Sequence, residues 1–258
     1  FVPLDSAAKA LGADAVADAL TQQIAARGLD AQVVRNGSRG MVWLEPLVEI
    51  EADGRRLAYG PVTPADVGAL LDGTLPCLGR VEDIPFFARQ TRLTFARCGL
   101  IDPLDLDEYE RHGGLAGLRR AIGMDGAAIV AEVTASGLRG RGGAGFPTGI
   151  QWKTVADAVA EGDSGTFADR MIMEGDPFTL IEGMAIAALG VGATRGYVYM
   201  RSEYPVAIDV LERAVVIARQ RGMLGAGVLG SGRAFDMQVR VGAGAYVCGE
   251  ETSLLNSL

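Results

Sequence analysis

Two glycine-rich loops hold the residues of this 258-residue chain whose types and spacing could do chemistry. The first runs Gly137-Leu138-Arg139-Gly140-Arg141-Gly142-Gly143-Ala144-Gly145-Phe146-Pro147-Thr148-Gly149, and a helical pattern follows over 150–160. Such a loop at the start of a helix gathers backbone N–H donors at the positive end of the helix dipole. Its missing Cβ atoms let a phosphate or a flat ring come close. Arg139 and Arg141 add positive charge. The second loop, Gly242-Ala243-Gly244-Ala245-Tyr246-Val247-Cys248-Gly249-Glu250-Glu251, leads into a helix start at Thr252. Its carboxylates could accept hydrogen bonds from ribose or amide groups. Each loop also has a plainer explanation. The first could be a linker or tight turn, and the second could simply place acids at a helix N-terminus, where the dipole favours them. Two such loops in one chain strengthen the case for a nucleotide or flavin cradle.

Other chemistries find little support. A P-loop ends in Gly-Lys-Ser/Thr, whereas the first loop ends Pro147-Thr148-Gly149. A dinucleotide fingerprint needs a preceding strand, and the segment before Gly137 reads as helix. The single histidine, His112, lies in a charged stretch and is expected at the surface. The three cysteines, Cys77, Cys98 and Cys248, are widely spaced, so no zinc or iron–sulfur spacing and no metal site is expected in these residues. Isolated thiols suit a reducing cytoplasm. A formal net charge of -8 disfavours nucleic acid, and no apolar run is long enough for a membrane span. The opening Phe1-Val2-Pro3-Leu4 has no leader-like pattern, and the lack of an initial Met suggests a lost N-terminus.

The surrounding elements predict an α/β chain. Strands are expected at 1–4, 31–35, 41–44 and 47–51, with a helix over 13–27 stopped by Gly28. Asp53-Gly54 signals a hairpin turn, and Thr63-Pro64 a helix start. The alternation of Glu49, Glu51 and Asp53 with Val48, Ile50 and Ala52 predicts a strand with one solvated face. Helices are expected over 86–98, 115–122, 126–136, 178–189 and 204–221, and strands over 196–201 and 235–241. Trp152 should anchor a helix in the core. Met171, Met173, Met184 and Cys248 should fill space rather than touch a ligand.

The Gly-Arg-Gly-Gly-Ala-Gly-Phe-Pro-Thr-Gly core at 140–149 resembles the FMN loop of the NADH-binding flavin subunit of respiratory complex I and its relatives. Residues 243–252 resemble that family's second signature, and Glu161-Gly162-Asp163-Ser164-Gly165-Thr166-Phe167-Ala168-Asp169-Arg170 a third. The likeness covers roughly residues 80–258. It implies FMN and NAD(H) as cofactors. Gly140, Arg141, Gly142, Gly143, Ala144 and Gly145 would wrap FMN, and Phe146 would flank the nicotinamide. Glu161 and Asp163 would lie near nicotinamide and ribose. Tyr246, Gly249 and Glu250 would line the flavin, and Glu251 would hold NAD(H). Residues 1–75 look like a fused thioredoxin-like domain without a cluster, followed by a helical connector at 76–136 and the FMN- and NAD(H)-binding domain at 137–258. This arrangement resembles the beta subunit of soluble molybdenum-containing NAD-dependent formate dehydrogenases. It implies a molybdenum-containing alpha subunit and an iron–sulfur gamma subunit with a two-iron cluster as partners.

Three departures from the family accompany the resemblance. Ala160 runs straight into Glu161, where the family has a strand and an Asn-Ala-Asp. Gln151 precedes Trp152, where the family has lysine. The family also continues beyond the position of Leu258, into a helical bundle whose four cysteines hold a four-iron, four-sulfur cluster. Alternative settings are the diaphorase subunit of an NAD-reducing hydrogenase and an NADH:quinone oxidoreductase. Alternatives of another kind are a non-catalytic nucleotide-binding regulatory module and a scaffold whose loops only pack.

Overall fold

The structure, a computed structural model, describes residues 1–140, 145–155 and 166–242. The chain is α/β and divides into two compact units. Phe1–Pro103 with Glu174–Asp176 form the first, and Leu104–Met173 with Pro177–Leu258 the second. The first part of the expected 76–136 connector therefore goes with the first unit and the rest with the second.

The first unit contains β1 (Val2–Pro3), α1 (Ser6–Ala10), α2 (Ala13–Arg27), β2 (Arg35–Asn36), β3 (Val48–Ala52), β4 (Arg55–Tyr59), α3 (Val67–Leu71), β5 (Gly79–Arg80) and α4 (Pro85–Ala88). β1 pairs parallel with β2, and β3–β4–β5 run antiparallel. On the other side of β1, the Glu49 N–H donates to the Phe1 carbonyl at 3.0 Å, which sets β1 beside β3. β1 and β2 form one two-stranded sheet and β3, β4 and β5 a three-stranded one, in that order. Asp53 (φ 51°) and Gly54 (φ 70°) are both left-handed, as a two-residue hairpin turn with right-handed strand twist requires. α2 buries Ala13, Val16, Ala17 and Leu20 against Val48, Tyr59, Val62, Val67 and Leu70. Thr63 and Asp66 cap each other's backbone ahead of α3.

Several expectations for this unit are corrected. Only Arg35–Asn36 of the strand expected at 31–35 is paired, and Val42–Leu44 is a 3-10 turn. The single helix expected over 86–98 stops at Ala88. Tertiary contacts override local propensity there. The Arg92 guanidinium lies over the rings of Phe87 (4.7 Å) and Phe95 (6.0 Å), and Arg97 Nε donates to Asp176 Oδ2 at 2.9 Å. The solvated face expected of β3 is also wrong at its first acid. Glu49 is 1% exposed and takes both donors of Arg39, at 2.8 and 2.7 Å, whereas Glu51 and Asp53 are exposed.

That pair belongs to a buried polar group beneath β3. Glu45 accepts from Ser38 Oγ and from the Leu47 N–H, both at 2.8 Å. Burial pushes its carboxyl up from 4.5 to about 7, and Asp5 and Glu49 add to the shift by like charge. Glu174 reaches the start of α1, accepting from Ser6 N at 2.8 Å and Ser6 Oγ at 2.5 Å. Gly37 and Gly175 touch so closely that a Cβ on Gly37 would lie 2.6 Å from the Gly175 Cα.

The second unit is built on helix α10 (Pro177–Val191). Around it pack α6 (Ala116–Ala121), α7 (Gly126–Ala135), α8 (Thr148–Val155) and α11 (Pro205–Gln220). α5 (Leu106–Arg111) precedes them, and α9 (Thr166–Gly175) leads to α10 through Asp176. β6 (Arg195–Arg201) and β7 (Asp236–Gly242) pair parallel along their whole length, joined through α11. The buried Glu182 of α10 receives Tyr109 Oη at 2.5 Å and the N–H groups of Leu115 and Leu118 at 2.7 and 2.9 Å. It satisfies the open donors at the start of α6, where Leu115 stands at φ 64°. Asp107 of α5 pairs with Arg221 beyond α11. His112 is exposed at the end of α5, as expected.

Two stability predictions follow from the polar group. Arg39→Met strands Glu49 without its partner and should lower unfolding free energy by about 3–5 kcal/mol, read by urea denaturation. A carboxyl whose folded pKa lies above its unfolded value stabilises most below the unfolded value and loses that contribution as pH rises toward the folded one. Glu45 should therefore make the protein less stable as pH climbs from 4.5 to about 7. Glu45→Gln should flatten that slope in melts across the window, and an unchanged slope would refute the assignment.

Candidate functional site

The first glycine loop joins α7 to α8, and both helices are fixed by close packing. Gly149 sits in the first turn of α8, and a Cβ there would lie 2.5 Å from the Thr134 Cα on α7. Gly126 at the start of α7 lies over α10, where a Cβ would come within 2.6 Å of the Gly190 carbonyl. Gly190 in turn faces Ile129 and Val130 of α7 and Trp152 of α8, at 3.2, 3.6 and 3.6 Å from its virtual Cβ. Trp152 thus packs in the helix layer, half-buried rather than fully enclosed. Three helices meet backbone to backbone, and that sets where the loop between α7 and α8 begins and ends.

The loop base is a short antiparallel bridge. Arg139 pairs with Pro147, Gly140 N–H donates to the Phe146 carbonyl at 2.8 Å, and Thr148 N–H donates to the Leu138 carbonyl at 2.9 Å. Gly145 adopts φ 61°, which a residue with a side chain would resist. Arg139 Nε donates to the Gly145 carbonyl at 2.5 Å. Above this base lies a cleft of about 450 Å³ lined by Ser136, Gly137, Leu138, Arg139, Gly140 and Gly145. That volume falls within the range of small-molecule sites, roughly 300–1,000 Å³. Among the described residues, a Cβ on Gly140 would meet nothing nearer than the Phe146 carbonyl, at 3.7 Å. Phe146 is 53% exposed, a large aromatic face available for stacking.

Among the expected site residues, Gly140, Gly145 and Phe146 come together at the loop base. Arg141, Gly142, Gly143, Ala144, Glu161, Asp163, Tyr246, Gly249, Glu250 and Glu251 lie outside the described residues. β7 nevertheless shows where the second loop leaves the sheet. Strand β7 ends at Gly242 opposite Arg201, at the carboxyl end of a parallel pair. Ligands of open α/β sheets bind beyond that end. A Cβ on Gly242 would lie 2.0 Å from the Tyr199 hydroxyl, so the tyrosine side chain packs over this glycine. Two contributions leave no mark in the sequence. Arg139 reads there only as charge, and nothing in the residue pattern pairs Gly126 with Gly190 or Gly149 with Thr134.

Fold and site together define an α/β ligand-binding domain whose cleft is built largely from glycine backbone at a helix–helix junction. Comparison with known proteins connects that domain to a family: residues 133–258 match the Nuo51 FMN-binding domain family. The chain is 48% identical over 180 residues to the NADP-reducing hydrogenase subunit HndC of Solidesulfovibrio fructosivorans, covering 66% of this chain and 36% of the relative. It is 49% identical over 164 residues to an NADH-quinone oxidoreductase subunit of Rhizobium meliloti, covering 59% of this chain and 39% of the relative. A solved NAD+-reducing NiFe hydrogenase in its H2-reduced state aligns over 99% of this chain and 45% of that one, at 27% identity and a TM-score of 0.48. The chain thus spans little more than a third of the length of these two curated relatives. Among the described residues, no helix is long and apolar enough to cross a membrane.

The helix junction generates a prediction. Gly149→Ala should push α8 off α7, because the obstructing atom is backbone that cannot swing aside. Overpacking of this kind costs about 1–3 kcal/mol. A thermal melt should show a clear drop in midpoint, and a midpoint equal to wild type would disprove the close crossing.

Proposed function

We propose that this chain is the FMN- and NAD(H)-binding part of a flavin subunit that works in a multi-subunit redox complex of the NAD-reducing hydrogenase or NADH:quinone oxidoreductase type. The observation that carries this reading is the cleft at the base of the first glycine loop, in a stretch that matches the Nuo51 FMN-binding domain family. The residues present suit a flavin nucleotide. Gly137, Gly140 and Gly145 leave a wall without side chains, and Arg139 supplies positive charge beside it.

When bound, FMN would supply a carrier that takes an electron pair from reduced nicotinamide and passes electrons on singly. The chain's own groups bind and orient. The bridge at Arg139 and Pro147 fixes the loop ends, and Arg139 beside the cleft would supply positive charge to anionic oxygens. The exposed Phe146 ring offers a stacking face to the nicotinamide. The remaining roles follow the family pattern: Arg141, Gly142, Gly143 and Ala144 around FMN, Glu161 and Asp163 toward nicotinamide and ribose, Tyr246, Gly249 and Glu250 along the flavin, and Glu251 on NAD(H). Holding both rings in stacking distance is the main service a protein renders to such a transfer.

The relatives favour a hydrogenase or quinone-reductase setting over the formate dehydrogenase one. The formate reading rests on the first unit, read as a fused thioredoxin-like domain; its parallel pair β1–β2, antiparallel β3–β4 hairpin and helix α2 agree with that reading. Of its two cysteines, Cys77 is exposed and Cys98 is buried. A four-iron cluster in a later part of the protein and a two-iron partner subunit belong to the same proposal.

The purified full-length protein should show a flavin absorption band that bleaches on anaerobic addition of NADH. A colourless protein that still binds NADH would replace this reading with the regulatory module. Metal analysis of the native complex should find nickel for a hydrogenase, molybdenum for a formate dehydrogenase, and neither for a quinone reductase.

A further inference from the structure

The loop base contains a side chain whose geometry goes beyond charge. Arg139 spends its Nε–H on the Gly145 carbonyl at 2.5 Å, across the mouth of the glycine run. One residue further in, the Gly140 N–H holds the Phe146 carbonyl at 2.8 Å. The two bonds run between successive residues on either arm, so the two ends of the run are tied twice. The second tie is backbone and involves no side chain. The first depends on one arginine. Gly145 needs the tie more than its neighbours do, because it stands at φ 61°, where glycine is free to leave for many other conformations. Its virtual Cβ lies 3.8 Å from Arg139 Nε, so the arginine lies along that peptide. Arg139 also lines the cleft.

We propose that Arg139 is a positioning residue. It holds the Gly145 peptide in place at the base of the loop, and it thereby sets how tightly the flavin nucleotide binds. The inference rests on the flavin reading above. A guanidinium N–H bonded to a carbonyl is charge-assisted and stronger than a neutral hydrogen bond. The clamp removes alternatives that the free loop would otherwise explore, and a preorganised site does not have to order itself at the moment of binding. Arg139 is exposed, so the fold does not depend on burying it.

The test strips FMN from full-length wild type, Arg139→Met and Arg139→Lys, then titrates FMN back while following flavin fluorescence, with a thermal melt of each stripped protein. Arg139→Met should weaken FMN binding about ten- to a hundred-fold, the loss expected for one charge-assisted hydrogen bond to an ordered loop. Its melting midpoint without FMN should fall by a few degrees at most, since one hydrogen bond is lost. Arg139→Lys, which keeps a charged donor without the planar fork, should recover part of the affinity. Stopped-flow reduction at saturating FMN should show KM for NADH rising more than kcat falls in Arg139→Met. Equal FMN affinity in wild type and Arg139→Met would overturn the clamp while leaving the flavin reading intact. Loss of affinity together with loss of cooperative unfolding would also overturn it, since Arg139 would then be a structural residue. Wild type that takes up no FMN would overturn both.

Discussion

The absence of a side chain at Gly149 is the constraint on which the candidate site depends. α8 approaches α7 so closely that its second residue touches the Thr134 backbone, and Gly126 and Gly190 let α7 settle onto α10 in the same way. Helix axes usually stand 8–10 Å apart, at distances set by the side chains between them. Glycine at the crossing points removes that spacer. The connection between α7 and α8 is then held at both ends by packed helices, and a loop of otherwise permissive residues acquires a defined mouth. The glycines of 137–149 therefore do two unlike jobs. Gly149 serves packing, while Gly140 and Gly145 line the cleft at the loop base, Gly145 at a φ of 61°.

The first unit follows a different logic. Its core is apolar on the α2 side, but under β3 it holds Arg39 against Glu49 and a Glu45 that accepts two hydrogen bonds. Buried ions of this kind contribute little net stability, since desolvation offsets most of the attraction. They penalise wrong arrangements instead, because any other register leaves a charge unpaired. Residues 174–176 join the same unit through Ser6 and Arg97. The short motif before α10 is thus fastened by directional polar contacts rather than by area.

Much of this was legible in the sequence, and the reasons differ by element. The helix over 13–27, the Asp53-Gly54 turn and the Thr63 cap were readable because they follow from local chemistry: a periodic apolar stripe, two residues that tolerate positive φ, a short polar side chain before proline. The strands β6 and β7 were readable as well, but their parallel pairing came only from the structure. The helix expected over 86–98 was not, because Arg97 is claimed by Asp176, a carboxylate distant in sequence. Glu49 misled for a related reason. Alternation with apolar neighbours marks two faces of a strand, but it cannot tell water from a buried arginine. At the site, the glycine run announced a cradle, while the choice between the packing glycines and the ligand-facing ones needed coordinates.

A cleft made chiefly of main chain has a consequence for how its chemistry can be tuned. Side-chain sites change specificity by exchanging functional groups. Here the wall consists of Gly137, Gly140 and Gly145 with Leu138, one arginine and one serine, so few groups are available to exchange. Adding a Cβ at Gly145 would strain the backbone at φ 61°, and adding one at Gly140 would fill the space a ligand needs. The adjustable variable is loop shape. Shape is governed by what ties the arms together, namely the bridge between Arg139 and Pro147, the Gly140–Phe146 bond and the Arg139–Gly145 bond. A cofactor that brings its own reactivity asks little more of a protein than a rigid mould and a nearby charge, and this arrangement supplies both with very few side chains.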